Sequence, residues 1–533
     1  MKEKYYITTA IDYSNAPPHL GHAYEKITAD FIARHQRMRG KDVFFLTGVD
    51  EHGTKNEKAS KEREITPKEH CDDIANKYKE TWAKLGISYD YFIRTTDELH
   101  KKAVSEIFIK LQKNEDIYKK KYEGLYCSGC EAFYLEKDLK EGNICPVHNR
   151  KTEIVAEENY FFKITKYKDQ VKKHILENVD FIKPESKKNE ILNMIDDFQD
   201  ISISRENVKW GVPIPNDDKQ VMYVWIDALN NYITALGFFG GNESDLKKYW
   251  PANVQIVGKD ILKFHAIIWP SILLALGLEL PKTIFSHGFI TLGGSKISKT
   301  TGNIISPNDL IEKYQADGLR YFMVREINYG NDGNFEAEFK EDKSFDRCQP
   351  LENRVNSDLA NNLGNSLNRI VASILAKNCD GIIPERNKDS ESDFPEFVEL
   401  TKKKIEIQMD NFELQEASTS IWDLVNKLNK YIDVEAPWNL AKKALEDEST
   451  KPYFHGVLYT CLETLRIVSL LSYPLIPTIS SKIWEQLGIN EKIEDQTWDK
   501  IQWGLTISGT QTRKTDVVYP RIDSKLVDKS KKK

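Results

Sequence analysis

Cysteine is scarce in this chain: seven in 533 residues, an odd number and too sparse for a disulfide framework. Long apolar runs are missing as well. The strongest, residues 267–278, is interrupted by Pro270 and falls short of the roughly 20 residues that span a bilayer. Neither an apolar signal core nor an Arg/Ser-rich presequence precedes the first β-rich stretch, which begins right after Met1-Lys2-Glu3-Lys4. Charge of one sign is lacking too. The 76 Lys+Arg against 82 Asp+Glu leave −6, so no global field marks a nucleic-acid binder and any such partner must be gripped by local patches. These absences predict a cytoplasmic, reduced protein, and its length predicts several domains of ~100–200 residues each.

What is present is ordered in blocks. Residues 5–11 and 42–47 are short β-rich runs, and 21–38 between them has helical character that Gly40 ends. Strand, glycine turn, helix and strand open a parallel α/β sheet. A second set follows at 254–257 (strand), 261–278 (mostly helix) and 283–286 (strand), closing at His287-Gly288. The intervening 116–210 is rich in Lys, Tyr and Glu and reads as an insertion into the sheet domain. From about 351 the pattern turns helical, with Leu359, Leu363, Leu367, Ile370 and Ile374 on one stripe. The expected division is 1–115 and 211–290 for two halves of a Rossmann-like catalytic domain, with the 116–210 insertion between them. Residues 291–350 are expected to be a region built around the lysine loop, 351–503 a helical domain and 504–533 a C-terminal tail with a little strand character.

Two short motifs carry phosphate chemistry. His19-Leu20-Gly21-His22 follows Pro17-Pro18 and opens the first helix. Unpaired N–H groups and the helix dipole make such an end a seat for phosphate, and imidazole N–H groups can donate to an oxygen whose charge grows in the transition state. Lys296-Ile297-Ser298-Lys299-Thr300 lies between Gly293-Gly294 and Gly302. A glycine-flanked loop carrying Lys296 and Lys299 can close over a triphosphate and reopen. It follows the strand ending at His287, on the side where α/β sheets bind ligands.

A third motif points to metal. Cys127, Cys130, Cys145 and His148 form C-x2-C-x14-C-x2-H, in which each half aims two ligands at one point. Four N/S ligands make a closed tetrahedral Zn2+ site with no position left for water, so the zinc is expected to be structural. Cys71, Cys348, Cys379 and Cys461 lack such spacing.

The histidine and lysine motifs resemble the two signatures of class I aminoacyl-tRNA synthetases. Further segments narrow the resemblance to the methionyl-tRNA synthetase family: Tyr13-Ser14-Asn15, Val49-Asp50-Glu51-His52-Gly53, Tyr223-Val224-Trp225-Ile226-Asp227-Ala228, Gly258 through His265, and Glu435-Ala436-Pro437-Trp438. The match runs in the family's order from Tyr5 to about Ile522. The resemblance implies activation of methionine by Mg2+·ATP and transfer to tRNA(Met). It places ATP at His19, Gly21, His22, Lys296 and Lys299. It assigns the side-chain pocket to Ala10, Ile11, Tyr232, Ile261 and His265, and the substrate ammonium to Asp50. Tyr13 and Trp225 add aromatic walls suited to a polarizable sulfur, and the Tyr232 hydroxyl and Ile11 N–H are expected to donate weakly to it. Asn361, Asn365 and Arg369 lie at i, i+4 and i+8 on one helix face. With Trp438 as a stacking surface, the resemblance makes them readers of the CAU anticodon. It also implies a zinc knuckle near the tRNA acceptor end, and it favours a monomer.

Leu229, Ile297 and Thr300 depart from the residues common in relatives. Other readings stand beside this one. A leucine, isoleucine or valine synthetase shares the signatures but needs a large editing domain, for which an insertion of ~95 residues is too small. A small nucleotidyltransferase has no use for the helical bundle. A zinc RNA-binding protein would leave both phosphate motifs idle.

Overall fold

The computed structural model describes the chain except residues 1, 128–131, 135, 148, 293–294, 297–304, 343 and 523–533. Its centre is a seven-stranded sheet. In chain order the strands are β1 (Lys4–Thr9), β2 (Asp12–Tyr13), β3 (Asp42–Asp50), β4 (Tyr91–Arg94), β5 (Ile182–Lys183), β6 (Val254–Gly258) and β7 (Ile284–His287). They lie in the order β2-β3-β1-β6-β7-β5, with β4 also on β3, and every pairing is parallel. Near-continuous apolar runs such as Tyr5-Tyr6-Ile7 and Val254 to Val257 suit strands covered on both faces. The order reverses at β1, from which β3 lies to one side and β6 to the other. Open α/β sheets bind ligands at such a switch point, beyond the strands' carboxyl ends.

Helix α1 (Leu20–Met38) crosses from β2 to β3 and is buried over nearly its whole length, including Glu25, Lys26, Asp30 and His35. Gly40, with φ +82°, takes the left-handed turn that ends the helix cheaply.

The 116–210 block is not one insertion. Strands Ile117–Cys127, Ala132–Tyr134 and Glu153–Phe162 form an antiparallel sheet, but β5 within the same block is an edge strand of the central sheet, paired with β7. Spacing concealed this because a two-residue edge strand has no readable period. The 504–533 stretch also differs from expectation. Among its described residues only the isolated bridge Gln511↔Ile382 is β-like. Val518 and Tyr519 are buried, and the Tyr519 hydroxyl donates to the Tyr314 carbonyl (2.8 Å), so this segment packs back onto the body of the protein.

From 349 to 486 the chain is mainly helical. The first helical run, 349–378, contains two π-wound segments, Asn356–Gly364 and Asn368–Leu375, with Leu359, Leu363, Leu367, Ile370 and Ile374 buried. Helix Lys451–Ser472 lies in a stretch (Glu448–Ser472) with the length and apolarity of a membrane span, yet 94% of its apolar window is buried inside the protein; it is the bundle's core helix. The two halves are joined by a buried ionic junction. Arg320 pairs with Asp30 (2.7 Å), both fully buried, and donates to the Leu475 (2.8 Å) and Pro474 (3.0 Å) carbonyls. Burial opposes ionisation of Asp30, but Arg34 and Arg320 hold its carboxyl at about 2. This ties α1 to the turn after the core helix.

Candidate active site

At the carboxyl ends of β1, β3 and β6 lies a cavity of about 330 Å³, within the roughly 300–1,000 Å³ of small-molecule sites. The structure brings Ala10, Ile11 and Tyr13, His19, Gly21 and His22, and Asp50 to its lining. Trp225, Tyr232, Ile261 and His265, from beyond the 116–210 block, complete the set.

The two histidines are fixed by backbone. His19 is the N-cap of α1, and its Nδ1 accepts the Gly21 N–H (3.1 Å). His22 Nδ1 accepts the His19 N–H (3.3 Å) and the Tyr78 hydroxyl (3.1 Å). With both Nδ1 atoms accepting, the neutral rings carry their proton on Nε2, and each presents an N–H donor. The rings stack at 3.6 Å between centroids. Gly21 leaves room for this arrangement: a Cβ there would lie 3.0 Å from the His19 ring and push on it.

Beneath them sits a charged cluster that sequence reasoning missed. Lys26, fully buried, contacts Asp12 (2.7 Å) and Glu25 (2.8 Å) and donates to the Ala10 carbonyl (3.1 Å), while His287 meets Glu25 at 3.0 Å. Burial raises the Asp12 carboxyl to about 7 against the pull of Lys26. Burial also opposes ionisation of Glu25, yet Lys26 and His287 keep its carboxyl below its ordinary range. The available signal was an adjacent Glu-Lys pair between the apolar positions Ala23-Tyr24 and Ile27 of the helix.

The pocket walls are held by hydrogen bonds. The Asp50 carbonyl accepts the Ser14 N–H (2.9 Å) and hydroxyl (3.0 Å). The Tyr13 hydroxyl donates to the His52 carbonyl (2.7 Å), and Trp225 stacks on Phe264 at 3.9 Å. His265 lies in the π-turn Phe264–Ile268. Its Nδ1, 3.0 Å from the Ile261 carbonyl, must donate there, so its Nε2 accepts the Tyr232 hydroxyl (2.8 Å). Burial depresses this imidazole to about 4, keeping it neutral. The expectation that the Tyr232 proton reaches a substrate sulfur is therefore corrected: that proton goes to His265.

A second missed group is Asp227, which bridges His52 Nδ1 (2.6 Å) and His100 Nε2 (2.9 Å), while His100 Nδ1 meets the Thr234 hydroxyl (2.7 Å). Burial opposes its ionisation, but the two histidines hold it at about 2. One carboxylate thus ties the wall bearing Trp225 to the segment bearing Asp50. The motif was visible in sequence; its partners, far away in the chain, were not.

Other expected residues lie elsewhere. Lys296 is in a short strand, Ser295–Lys296, antiparallel to Ile290–Leu292, and Lys299 lies outside the described residues. Cys127 and Cys145 are buried, whereas Cys130 and His148 lie outside the described residues. Among the described residues there is no group of three or more metal-binding side chains. On the first bundle helix Asn361 and Asn365 are exposed. The Arg369 guanidinium lies 5.0 Å over the Trp438 ring and pairs with Asp433 (2.9 Å). The neighbouring stripe is an amide network, Asn362 to Asn426 (2.7 Å) and Ser366 to Asn429 (2.7 Å), that locks this helix to Leu414–Glu435.

The class I tRNA synthetase (M) family model matches residues 5–152 and 135–371, and the anticodon-binding domain of tRNA ligases matches 396–519. A methionine–tRNA ligase of Caldanaerobacter subterraneus is 44% identical over 98% of this chain and 80% of its own length. That of Clostridium perfringens is 46% identical over 98% and 78%. Among solved structures, Mycobacterium tuberculosis methionyl-tRNA synthetase in complex with methionyl-adenylate superposes with a TM-score of 0.90 at 35% identity, covering 97% of this chain and all of that one. On this sequence, this fold and these matches, the chain belongs to the methionyl-tRNA synthetase family.

Proposed function

We propose that the cavity at the β1/β3/β6 ends is where methionine and ATP react, with its side chains in the following roles. The observation that carries this reading is the pair of stacked, backbone-fixed histidines lining the same cavity as Asp50 and the aromatic wall. Asp50 takes the substrate ammonium. Ala10, Ile11, Tyr13, Trp225, Tyr232, Ile261 and His265 enclose the thioether, with His265 neutral and held by Tyr232. A carboxylate oxygen of methionine forms a bond to the α-phosphorus, and the bond to pyrophosphate breaks, its electron pair leaving with that group. The carboxylate is already ionised, so no general base is needed. His19 and His22 donate to the oxygens on which charge builds, Gly21 lets the phosphate approach the helix end, and Lys296 and Lys299 hold the β- and γ-phosphates. Mg2+ arrives with ATP as part of the substrate. The terminal ribose hydroxyl of tRNA(Met) then attacks the acyl carbon, the acyl–phosphate bond breaks, and AMP leaves with its phosphate taking up the hydroxyl proton. Its anticodon is read at Asn361, Asn365, Arg369 and Trp438.

Cys127, Cys130, Cys145 and His148 hold one structural Zn2+ in this reading. Two observations support the fit. Cys127 ends a strand and is paired in register with Ala132 of the neighbouring antiparallel strand. Cys145 heads a tight turn, with its N–H on the Arg150 carbonyl (2.8 Å) and its carbonyl accepting the Asn149 N–H (2.9 Å). The chain acts as a monomer in the cytoplasm, a setting that suits six described cysteines of which none is in a disulfide.

Amino-acid-dependent exchange of pyrophosphate into ATP tests the assignment. Exchange with methionine alone is expected. Exchange driven by leucine, isoleucine or valine, or unchanged exchange in His22→Ala, would overturn it.

A further inference from the structure

The cavity assigned above to methionine and ATP has an acidic lining. Asp12, Glu25, Asp50 and Asp260 all face it, and among its described lining residues Lys55 is the one lysine or arginine. Both substrates are anionic where they react, so an uncompensated acidic wall would repel them. Lys26 does not line the cavity and is already engaged by Asp12 and Glu25. Asp50 is matched to the ammonium of the amino acid. The carboxylate of the same zwitterion, a few ångströms from its ammonium, needs a cation close to Asp50.

Lys55 stands there. It lies in the first turn of α2 (Thr54–Glu62), directly after the Asp50–His52 segment. Its Nζ is 5.1 Å from the centroid of the Tyr13 ring, a distance at which an aromatic face attracts an ammonium group. That ring is itself anchored by its hydroxyl to the His52 carbonyl (2.7 Å). The start of α2 is pinned as well: the Gly53 N–H donates to the Trp210 carbonyl (2.9 Å). The ammonium is thus placed on the cavity wall by a fixed helix start and a fixed ring.

We propose that Lys55 is the counter-ion of the methionine carboxylate in this cavity, an inference that rests on the reading of the cavity given above. Lys55 pairs with the carboxylate while it is still anionic. As one carboxylate oxygen bonds to the α-phosphorus and pyrophosphate leaves, the acyl group becomes neutral and the adjacent α-phosphate retains the negative charge. The pairing is strongest before reaction, so its contribution belongs to amino-acid affinity more than to turnover.

Methioninol, which keeps the ammonium and thioether but has an alcohol in place of the carboxylate, isolates this contact. In pyrophosphate exchange, Lys55→Met is expected to raise the KM for methionine roughly ten- to a hundredfold, as for loss of a charge-assisted contact. The inhibition constant of methioninol should stay within about twofold, and Lys55→Arg should recover most of the methionine affinity. Equal losses for methionine and methioninol, or no change for either, would overturn the proposal. Asp50→Asn, measured in parallel, separates this failure from failure of the cavity assignment. It should weaken both ligands, which share the ammonium. If it weakens neither, the cavity reading falls; if it weakens both while Lys55→Met changes nothing, only the Lys55 assignment falls.

Discussion

His35 offers the sharpest test of the energetics of the junction between the two halves. It lies on α1, is 1% exposed, and meets the Trp498 indole edge-on at 4.7 Å. Its Nε2 has no hydrogen-bond partner among the described residues. Burial, reinforced by Arg39 and Lys41, depresses the imidazole from 6.5 to about 3. A folded-state pKa below the unfolded one means that the unfolded chain binds a proton the folded chain refuses. The stability this histidine contributes is therefore complete above about pH 6.5 and falls as the pH drops toward 3, by about 1.4 kcal/mol per unit. Between pH 7.5 and 5 the cost is about 2 kcal/mol. His35→Leu removes the titration at similar volume and also removes the unpaired nitrogen. Urea denaturation of both proteins, followed by tryptophan fluorescence across this range, should show the wild type losing about 2 kcal/mol more than the variant. A wild-type-minus-variant difference that stays flat with pH would refute the claim that a neutral, desolvated imidazole sits at this junction. Pyrophosphate exchange at pH 7.5 should be unchanged in the variant, because His35 does not line the cavity.

Asp227→Asn keeps the shape of the clamp but removes the charge that both histidines face. A loss of about 1–3 kcal/mol in stability is expected, together with a higher KM for methionine and a KM for ATP within about twofold of wild type; an unaltered methionine KM would show that the clamp does not position the pocket. Trp438→Ala should leave methionine-dependent pyrophosphate exchange intact while lowering kcat/KM for tRNA(Met) by roughly one to two orders of magnitude, as expected for loss of a base-stacking surface; equal losses in both assays would place Trp438 in folding rather than recognition. Elemental analysis of the purified protein should give about one zinc per chain, lost on Cys145→Ser; zinc-free protein of full stability would refute the knuckle.

Much of the fold was legible in the sequence because its strands and helices are long enough to have a period. The stretch Tyr5-Tyr6-Ile7, the glycine after α1 and the leucine stripe from Leu359 to Leu367 each announce their element within one turn or strand. The β5 edge strand was not legible, because two residues in a Lys- and Glu-rich segment carry no pattern and only pairing with β7 makes them a strand. The return of Tyr519 onto Tyr314 was hidden for a similar reason: an irregular segment without a period declares its burial only through its partners.

The site divides in the same way. By itself the sequence determined which chemistry is on offer, because imidazoles, ammonium groups and thiols at fixed short spacings are set by covalent order: the His19–His22 pair at a helix start, the Lys296–Lys299 loop, the Cys127 to His148 quartet. Tertiary structure alone decided protonation, orientation and partnership. Which nitrogen of His19, His22 and His265 carries the proton depends on the groups the other nitrogen meets. The assembly of Asp227 with His52 and His100, and of Lys26 with Asp12 and Glu25 beneath the cavity, depends on burial and on distances of a few ångströms. Those quantities exist only once segments remote in the chain have been packed together and water has been removed from between them.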